Sequence, residues 1–346
     1  MSDRASSSAR GGGATGAARV LVTGGGGFIG SHLVELLVQR GDDVTVVDDF
    51  STGRRSNCRG PAFQRVRIIE AKVSDALRNL SSDRFDQIYH LAAAVGVRLV
   101  IERPIHTIET NVLETSALLA FAARNLTPTF LASTSEVYGK TDRMPFREDD
   151  DVVYGPTTCQ RWAYACSKAL DEHLALAHAR ESGLPVVIGR FFNTVGIRQS
   201  GQYGMVLPRF IEAAMAERTL EVHGDGRQTR CFCDVRDVVR VVAQMMSTSE
   251  CLGRVINIGH DEPISIGDLA DLVITTVGCR SNVRLVPYDE AFGKDFDDLR
   301  DRRPDLSRLR TTTGFVPEYS LVDTIRDMAA YNRRHYVESG VTGEQT

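Results

Sequence analysis

The sequence predicts an α/β protein with a doubly wound parallel sheet and a smaller α/β lobe toward its C-terminus. Three features carry the prediction. A glycine-framed strand, turn and helix opens the ordered part of the chain, a second strand ends in acid, and short apolar runs alternate with helical stretches as far as Arg190.

Val20 to Val22 is a short apolar strand that breaks into glycines, after which Phe28, Ile29, Leu33, Leu36 and Leu37 recur at helical spacing. Gly24, Gly27 and Gly30 stand in a G-x-x-G-x-x-G frame. Without a Cβ the first two let backbone approach a ligand phosphate, and Gly30 lets the helix pack close to the strand. The helix start offers unpaired N–H groups and a positive dipole end to a diphosphate. A glycine frame by itself is equally a flexible turn. The strand from Val44 to Asp48, followed by Asp49, adds the missing context, because Asp48 lies 18 residues beyond Gly30, near the distance at which a carboxylate meets an adenosine ribose. The pattern predicts a Rossmann dinucleotide site made by Gly24, Gly27, Phe28, Ile29, Gly30, Asp48 and Asp49. A carboxylate repels a 2'-phosphate, so the expected cofactor is NAD rather than NADP, with Arg54 and Arg55 downstream as the counterweight.

Phe50 to Pro61 reads as a polar loop, and Val66 to Glu70 as a third strand. A fourth, Asp86 to Leu91, opens into small residues that let a flat ligand lie against backbone, which adds Leu91, Ala92 and Ala93 to the cofactor site. A helix is expected from Pro104 to Asn125, with proline in its first turn. A fifth strand, Pro128 to Ser133, delivers Thr134, Ser135 and Glu136 to the carboxyl edge of the sheet, where ligands of open α/β sheets gather. A helix from Trp162 to about His178 and a sixth strand from Leu184 to Arg190 follow. Beyond Arg190 the rhythm loosens into turns, short helices and isolated strands such as Leu220 to His223 and Val255 to Asn257. The expected organisation is a disordered tail over 1–18, a cofactor-binding domain over 19–190 and a substrate lobe over 191–340, with a segment near 235–260 returning to the main sheet.

Composition bounds the function. At 346 residues the chain has room for a large core, and 42% hydrophobic with 25% charged residues describes an ordinary globule. A net charge of −4 and a pI near 6.1 give no electrostatic reason to expect nucleic acid. No run approaches the roughly 18 apolar residues of a membrane span, and the Ser/Gly/Ala-rich start lacks the apolar core of a signal peptide. Seven cysteines without a C-x-x-C pair suggest neither a metal site nor a disulfide framework, so reduced thiols and a cytoplasmic location are expected.

Reactive chemistry is concentrated in Tyr164-Ala-Cys-Ser-Lys168, which puts a phenol and an ammonium four apart on one helix face. The alternative is a solvated Tyr/Lys pair, but the chain has only four lysines. A phenol has a pKa near 10, so serving as a base near neutrality requires a fall of about 3 units, or about 4 kcal/mol in favour of phenolate. The neighbouring lysine and a positive nicotinamide ring are the expected source. Thr134 at the end of the fifth strand is placed to hydrogen-bond the same hydroxyl.

These segments, with Ser133-Thr-Ser-Glu-Val-Tyr-Gly139 and Phe191-Phe-Asn193-Thr, resemble the extended short-chain dehydrogenase/reductase family that acts on nucleotide sugars. The resemblance covers about 19–330 and implies NAD, a UDP-sugar substrate and a homodimer packed through the helices around 104–125 and 160–180. It also implies that Asn193 and Arg230 approach the nucleotide diphosphate. Ala71-Lys72 departs from the Gly-Asp usual beside the adenine.

Three residues bear on the branch. Ser135 stands where sugar 4,6-dehydratases carry an Asp, Glu136 is generally missing from simple 4-epimerases, and Arg302, in the polar run Phe292 to Asp305, falls on the functional arginine of UDP-glucuronate decarboxylases. The resemblance is strongest to that last branch. It implies Thr134, Ser135, Glu136, Tyr164, Lys168 and Arg302 as the catalytic set, and UDP-xylose or its 4-keto precursor as product. The competing readings are a solvated charge for Arg302 and a strand-end acid held by N–H groups for Glu136. For the whole chain they are a UDP-sugar or uronate 4-epimerase and a non-catalytic NAD-responsive binding protein.

Overall fold

The structure, a computed structural model, describes residues 17–96, 100, 102–201, 205–292 and 301–338. Apart from its last two residues the expected N-terminal tail lies outside them, as does the polar run 293–300.

Seven parallel strands form the central sheet: β1 Arg19–Thr23, β2 Asp43–Asp48, β3 Arg67–Glu70, β4 Gln87–His90, β5 Thr129–Thr134, β6 Val186–Phe191 and β7 Arg254–Ile258. Their spatial order is β7-β6-β5-β4-β1-β2-β3, so the winding reverses between β1 and β4. Burial on both faces explains why the inner strands β1 and β2 read as near-continuous apolar runs, whereas the edge strand β3 is mostly exposed. In β1, Val20 and Val22 enter the core on one side and Leu21 enters the core on the other. Helix α1, Phe28–Arg40, lies on the first side with Leu33, Val34 and Leu37 fully buried, and stops at Gly41 in the left-handed region. Helices α2 Val73–Asn79, α3 Pro104–Ala123 and α4 Trp162–Ser182 cover the second side, where Leu118, Leu119 and Ala175 meet Leu131 and Ile188.

Two expected features differ. Val255 to Asn257 is no isolated strand: β7 pairs residue by residue with β6, Val255 opposite Ile188 and Asn257 opposite Arg190, because the preceding helix Val235–Met245 packs its valines into the first core and carries the chain back. Leu220–His223 is also paired, in parallel with Val283–Val286. The Phe50 to Pro61 stretch contains a short 3-10 turn, Arg55–Cys58, pinned where Asn57 Nδ2 donates to the Gly26 carbonyl at 2.9 Å, and a second turn, Pro61–Arg65, starts at its end.

Helices Val206–Met215, Ile266–Val277 and Leu321–Glu338 bury Phe210, Ile211, Leu269, Val273, Ile325 and Met328 together as a separate core. Beside it a three-stranded sheet joins Pro263–Ser265, Thr229–Cys231 and Asp301–Arg302. Its register sets Arg302 next to Arg230.

Candidate active site

The glycine turn sits at the switch point between β1 and β4, where open α/β sheets leave a crevice. Gly24 has φ +75° and a Cβ there would lie 2.6 Å from Ala92 N, so its bareness is required by the close approach of the turn to the end of β4, and the residue also lines the crevice. A Cβ on Gly30 would fall 2.1 Å from the Gly24 carbonyl oxygen, so α1 can leave the turn only with glycine there. Gly27 is the open one: a Cβ would meet only Gly24 O, at 3.1 Å, and the residue lines the crevice. A turn with one bare residue facing a helix start fits a diphosphate.

Asp48 closes β2, and its two oxygens accept from Gly26 N and Phe50 N, each at 2.8 Å. Burial pushes this carboxyl up, against those donors. With Asp49, Ala71, Lys72, Val73, Ala92 and Thr110 it lines the pocket beyond the glycine turn. Arg55 is turned away, paired with Glu70 and lying 4.9 Å over the Phe50 ring, while Arg54 Nη2 donates to Ser200 at 3.0 Å. The two cations that opposed an NAD reading therefore have other partners.

The remaining sequence-chosen residues converge on one cleft of about 960 Å³. Gly24, Gly27, Phe28, Ile29, Gly30, Leu91 and Ala93 form one end, Thr134, Ser135, Glu136, Tyr164 and Lys168 the middle, and Asn193, Arg230 and Arg302 the other end. Its size matches that of small-molecule sites, about 300–1,000 Å³. Thr134 ends β5 and caps the turn Ser135–Tyr138 by accepting from Glu136 N at 3.2 Å. Asn193 adopts φ 27° and donates to the Cys231 carbonyl at 3.0 Å, which ties the end of β6 to the strand bearing Arg230.

Arg302 is 8% exposed, not a solvated charge. Its Nη1 donates to Glu136 Oε1 at 2.5 Å, and Arg161 Nη2 donates to Oε2 at 3.4 Å. Glu136 is thus an acid held between two guanidiniums, not one satisfied by N–H groups. Burial pushes its carboxyl up, but Arg302 and Arg161 outweigh burial and hold it below the usual range. A folded pKa below the unfolded one stabilises the fold above the ordinary carboxylate range, and that contribution is lost as pH falls through the lowered value.

Tyr164 lies deep in the cleft. Burial pushes its phenol up, the Glu136 charge adds to this, the Thr134 hydroxyl works the other way and Asp171 raises it further. Lys168 Nζ is paired with Asp171 Oδ2 at 2.8 Å. Asp171, on the same face of α4, and Arg161, one turn before Tyr164, are site residues to which motif reasoning gives no role; each stands three positions from a reactive side chain. Arg198, which lines the cleft and donates to Glu35 at 2.6 Å and Ser31 at 3.3 Å, carries no sequence signal.

Residues 20–259 match the NAD dependent epimerase/dehydratase family. The chain belongs to that family. Among relatives in the family, a UDP-N-acetyl-alpha-D-glucosaminuronate decarboxylase of Bacillus cytotoxicus is 39% identical over 91% of this chain and 98% of its own. UDP-glucuronic acid decarboxylase 1 of Danio rerio is 33% identical over 91% and 73%. Among solved structures, a tyrosine-to-phenylalanine mutant of the UDP-glucuronic acid 4-epimerase of Bacillus cereus, in complex with UDP-4-deoxy-4-fluoro-glucuronic acid and NAD, superposes with a TM-score of 0.81. It is 27% identical and covers 92% of this chain and 100% of its own.

Proposed function

We propose that this chain is an NAD-dependent decarboxylase of UDP-glucuronate, working through a 4-keto intermediate to UDP-xylose, UDP-4-keto-xylose or both. The observation that carries the reading is the Arg302–Glu136–Arg161 cluster beside Tyr164: two buried guanidiniums converge on one acid in the cleft, a setting suited to a substrate carboxylate. The likeness to named uronate decarboxylases over nine-tenths of the chain supports it.

Gly27, Phe28 and the start of α1 would hold the diphosphate of NAD, Asp48 the adenosine ribose, and Leu91, Ala92 and Ala93 its flat faces. When bound, NAD supplies the acceptor and later the donor of the C4 hydride. Tyr164 takes the C4 hydroxyl proton, with Thr134 holding the phenol. The ketone at C4 is β to the C5 carboxylate, so the C5–C6 bonding pair moves into an enolate as carbon dioxide leaves. Arg302 orients the departing carboxylate, Glu136 as a carboxylate places the water whose proton then goes to C5, and Ser135, small and uncharged, has no acid to protonate a 6-substituent. Asn193 and Arg230, with the helical lobe from 191 onward, hold the UDP.

Incubating purified protein with NAD and UDP-glucuronate labelled at C6 is expected to release the label as carbon dioxide. A product that keeps its carboxylate would replace this reading with the 4-epimerase one, which uses the same oxidation residues. UDP-N-acetylglucosaminuronate belongs in the same assay as a second substrate, because the Bacillus cytotoxicus relative is named for it.

A homodimer through α3 and α4 is part of the proposal. These helices pack on each other yet leave Ile105 71%, Leu113 60% and Leu170 47% exposed, an apolar set that a second copy would cover. Leu113→Glu is expected to shift the sedimentation coefficient to that of a monomer. No helix among the described residues is long and apolar enough to cross a membrane, and all seven cysteines are free, which supports a reducing, cytoplasmic setting.

A further inference from the structure

We propose that Arg161 is a positioning residue of the decarboxylation step: it holds Glu136 from the side of the helix that bears Tyr164, so that the acid keeps its charge and its place when Arg302 turns to the substrate carboxylate. The inference rests on the decarboxylase reading, in which Glu136 places the water that protonates C5.

The two guanidiniums reach Glu136 from different parts of the fold and take one oxygen each. Arg302 Nη1 meets Oε1, and Arg161 Nη2 meets Oε2 at 3.4 Å. Arg302 stands on the short strand Asp301–Arg302, whose neighbour is Thr229–Cys231, so it comes to the acid from the lobe side of the cleft. Arg161 immediately precedes α4, three positions ahead of Tyr164, and α4 packs on the turn Ser135–Tyr138 that carries Glu136. Acid, phenol and Arg161 therefore share one corner at the carboxyl edge of the central sheet. The seat of Arg161 is well packed. Trp162 beside it is 2% exposed and clusters with Ala165, Tyr154 and Cys159, and a Cβ on Gly155 would fall 2.2 Å from the indole nitrogen, so the loop before α4 lies against the ring. The Arg161 guanidinium carbon is 6.0 Å from the centre of that ring. With side chains 8% and 17% exposed, the Arg161–Glu136 contact is little screened by salt.

A uronate entering the cleft changes the balance. Arg302 keeps a buried Nε that has no hydrogen-bond partner among the described residues, a donor for an arriving anion. A second carboxylate there draws on the cation that acts most strongly on Glu136, and like charges close together push one acid toward its protonated form. Arg161 opposes this from the far side. The other groups that face the acid do not replace it: Tyr164, on α4, is a phenol that burial keeps protonated, and Arg230, on the strand next to Arg302, acts on the acid more weakly than either guanidinium.

The test is Arg161→Met, which keeps a stem and removes the charge. A first measurement needs no reaction. Carbon-13 NMR of glutamate-labelled protein, with the Glu136 signal identified by its absence in Glu136→Gln, is expected to show this carboxylate titrating at least about one pH unit higher in the variant, a tenfold smaller acid constant. A second measurement follows turnover. Because Glu136 works as a carboxylate, raising its pKa should move the low-pH limb of carbon dioxide release upward by a similar amount. At neutral pH that release is expected to fall at least about tenfold more than cofactor reduction in a single turnover, with the loss in kcat and not in KM. Arg161→Lys, which returns a cation to the same position, should recover most of both effects, as a packing role for the side chain would not. If Arg161→Met fails to fold, Arg161→Gln removes the same charge and carries the same expectation. A Glu136 signal that titrates as in the wild type, or oxidation and carbon loss slowed by one common factor, would overturn the proposal. A wild-type chain that oxidises UDP-glucuronate and retains its carboxylate would instead overturn the decarboxylase reading, and that result is seen without any variant.

Discussion

Tyr164→Phe is expected to lower the rate of carbon dioxide release from UDP-glucuronate by about 10²–10⁴-fold, the range for removing a positioned acid–base group. The ring stays, so its packing in α4 stays; what goes is the hydroxyl that hydrogen-bonds Thr134. Because that hydroxyl acts in the first step, the loss should appear equally in the absorbance of reduced nicotinamide during a single turnover. Binding of the sugar nucleotide should change little, since Asn193, Arg230 and Arg302 are untouched. A variant that reduced the cofactor at the wild-type rate would remove Tyr164 as the base and with it the whole oxidative route.

Much of this site is legible in the sequence because its residues sit where regular elements end. The glycine frame, the acid closing β2 and Thr134 closing β5 follow from apolar runs stopping at polar residues, and parallel pairing brings those stops to one edge of the sheet. The i,i+4 spacing of Tyr164 and Lys168 likewise fixes one helix face. What cannot be read locally is charge that meets across the fold. Arg302 lies 166 positions from Glu136, and nothing local distinguishes it from Arg303. Only the pairing of Asp301–Arg302 with Thr229–Cys231, and of Phe146 with Pro304, brings it inward. Asp171 shows the opposite limit. It stands in plain view one turn from Lys168, yet spacing alone does not tell a solvated pair from the buried contact at 2.8 Å that the fold makes of it. Gly24 makes the same point sterically: the motif speaks only of a phosphate, while the fold adds the backbone of Ala92 as a second reason for glycine.

Glu136→Gln separates carbon loss from oxidation. The amide keeps the shape of the acid but removes the negative charge shared by Arg302 and Arg161, which makes the cleft more positive toward the substrate carboxylate. Substrate affinity should therefore hold or rise. The water that protonates C5, however, loses the carboxylate that places it, and carbon dioxide release is expected to fall by about 10²-fold or more. Oxidation should behave in the opposite sense. The Glu136 charge is one of the influences that push the Tyr164 phenol up, so its removal should shift the low-pH limb of cofactor reduction downward and leave the rate no slower. Rapid-mixing absorbance would follow reduced nicotinamide, and trapping of labelled carbon dioxide would follow the second step on the same sample. If both steps slow by the same factor, Glu136 has no special part in breaking the carbon–carbon bond, and its place between two arginines is that of a structural counter-ion.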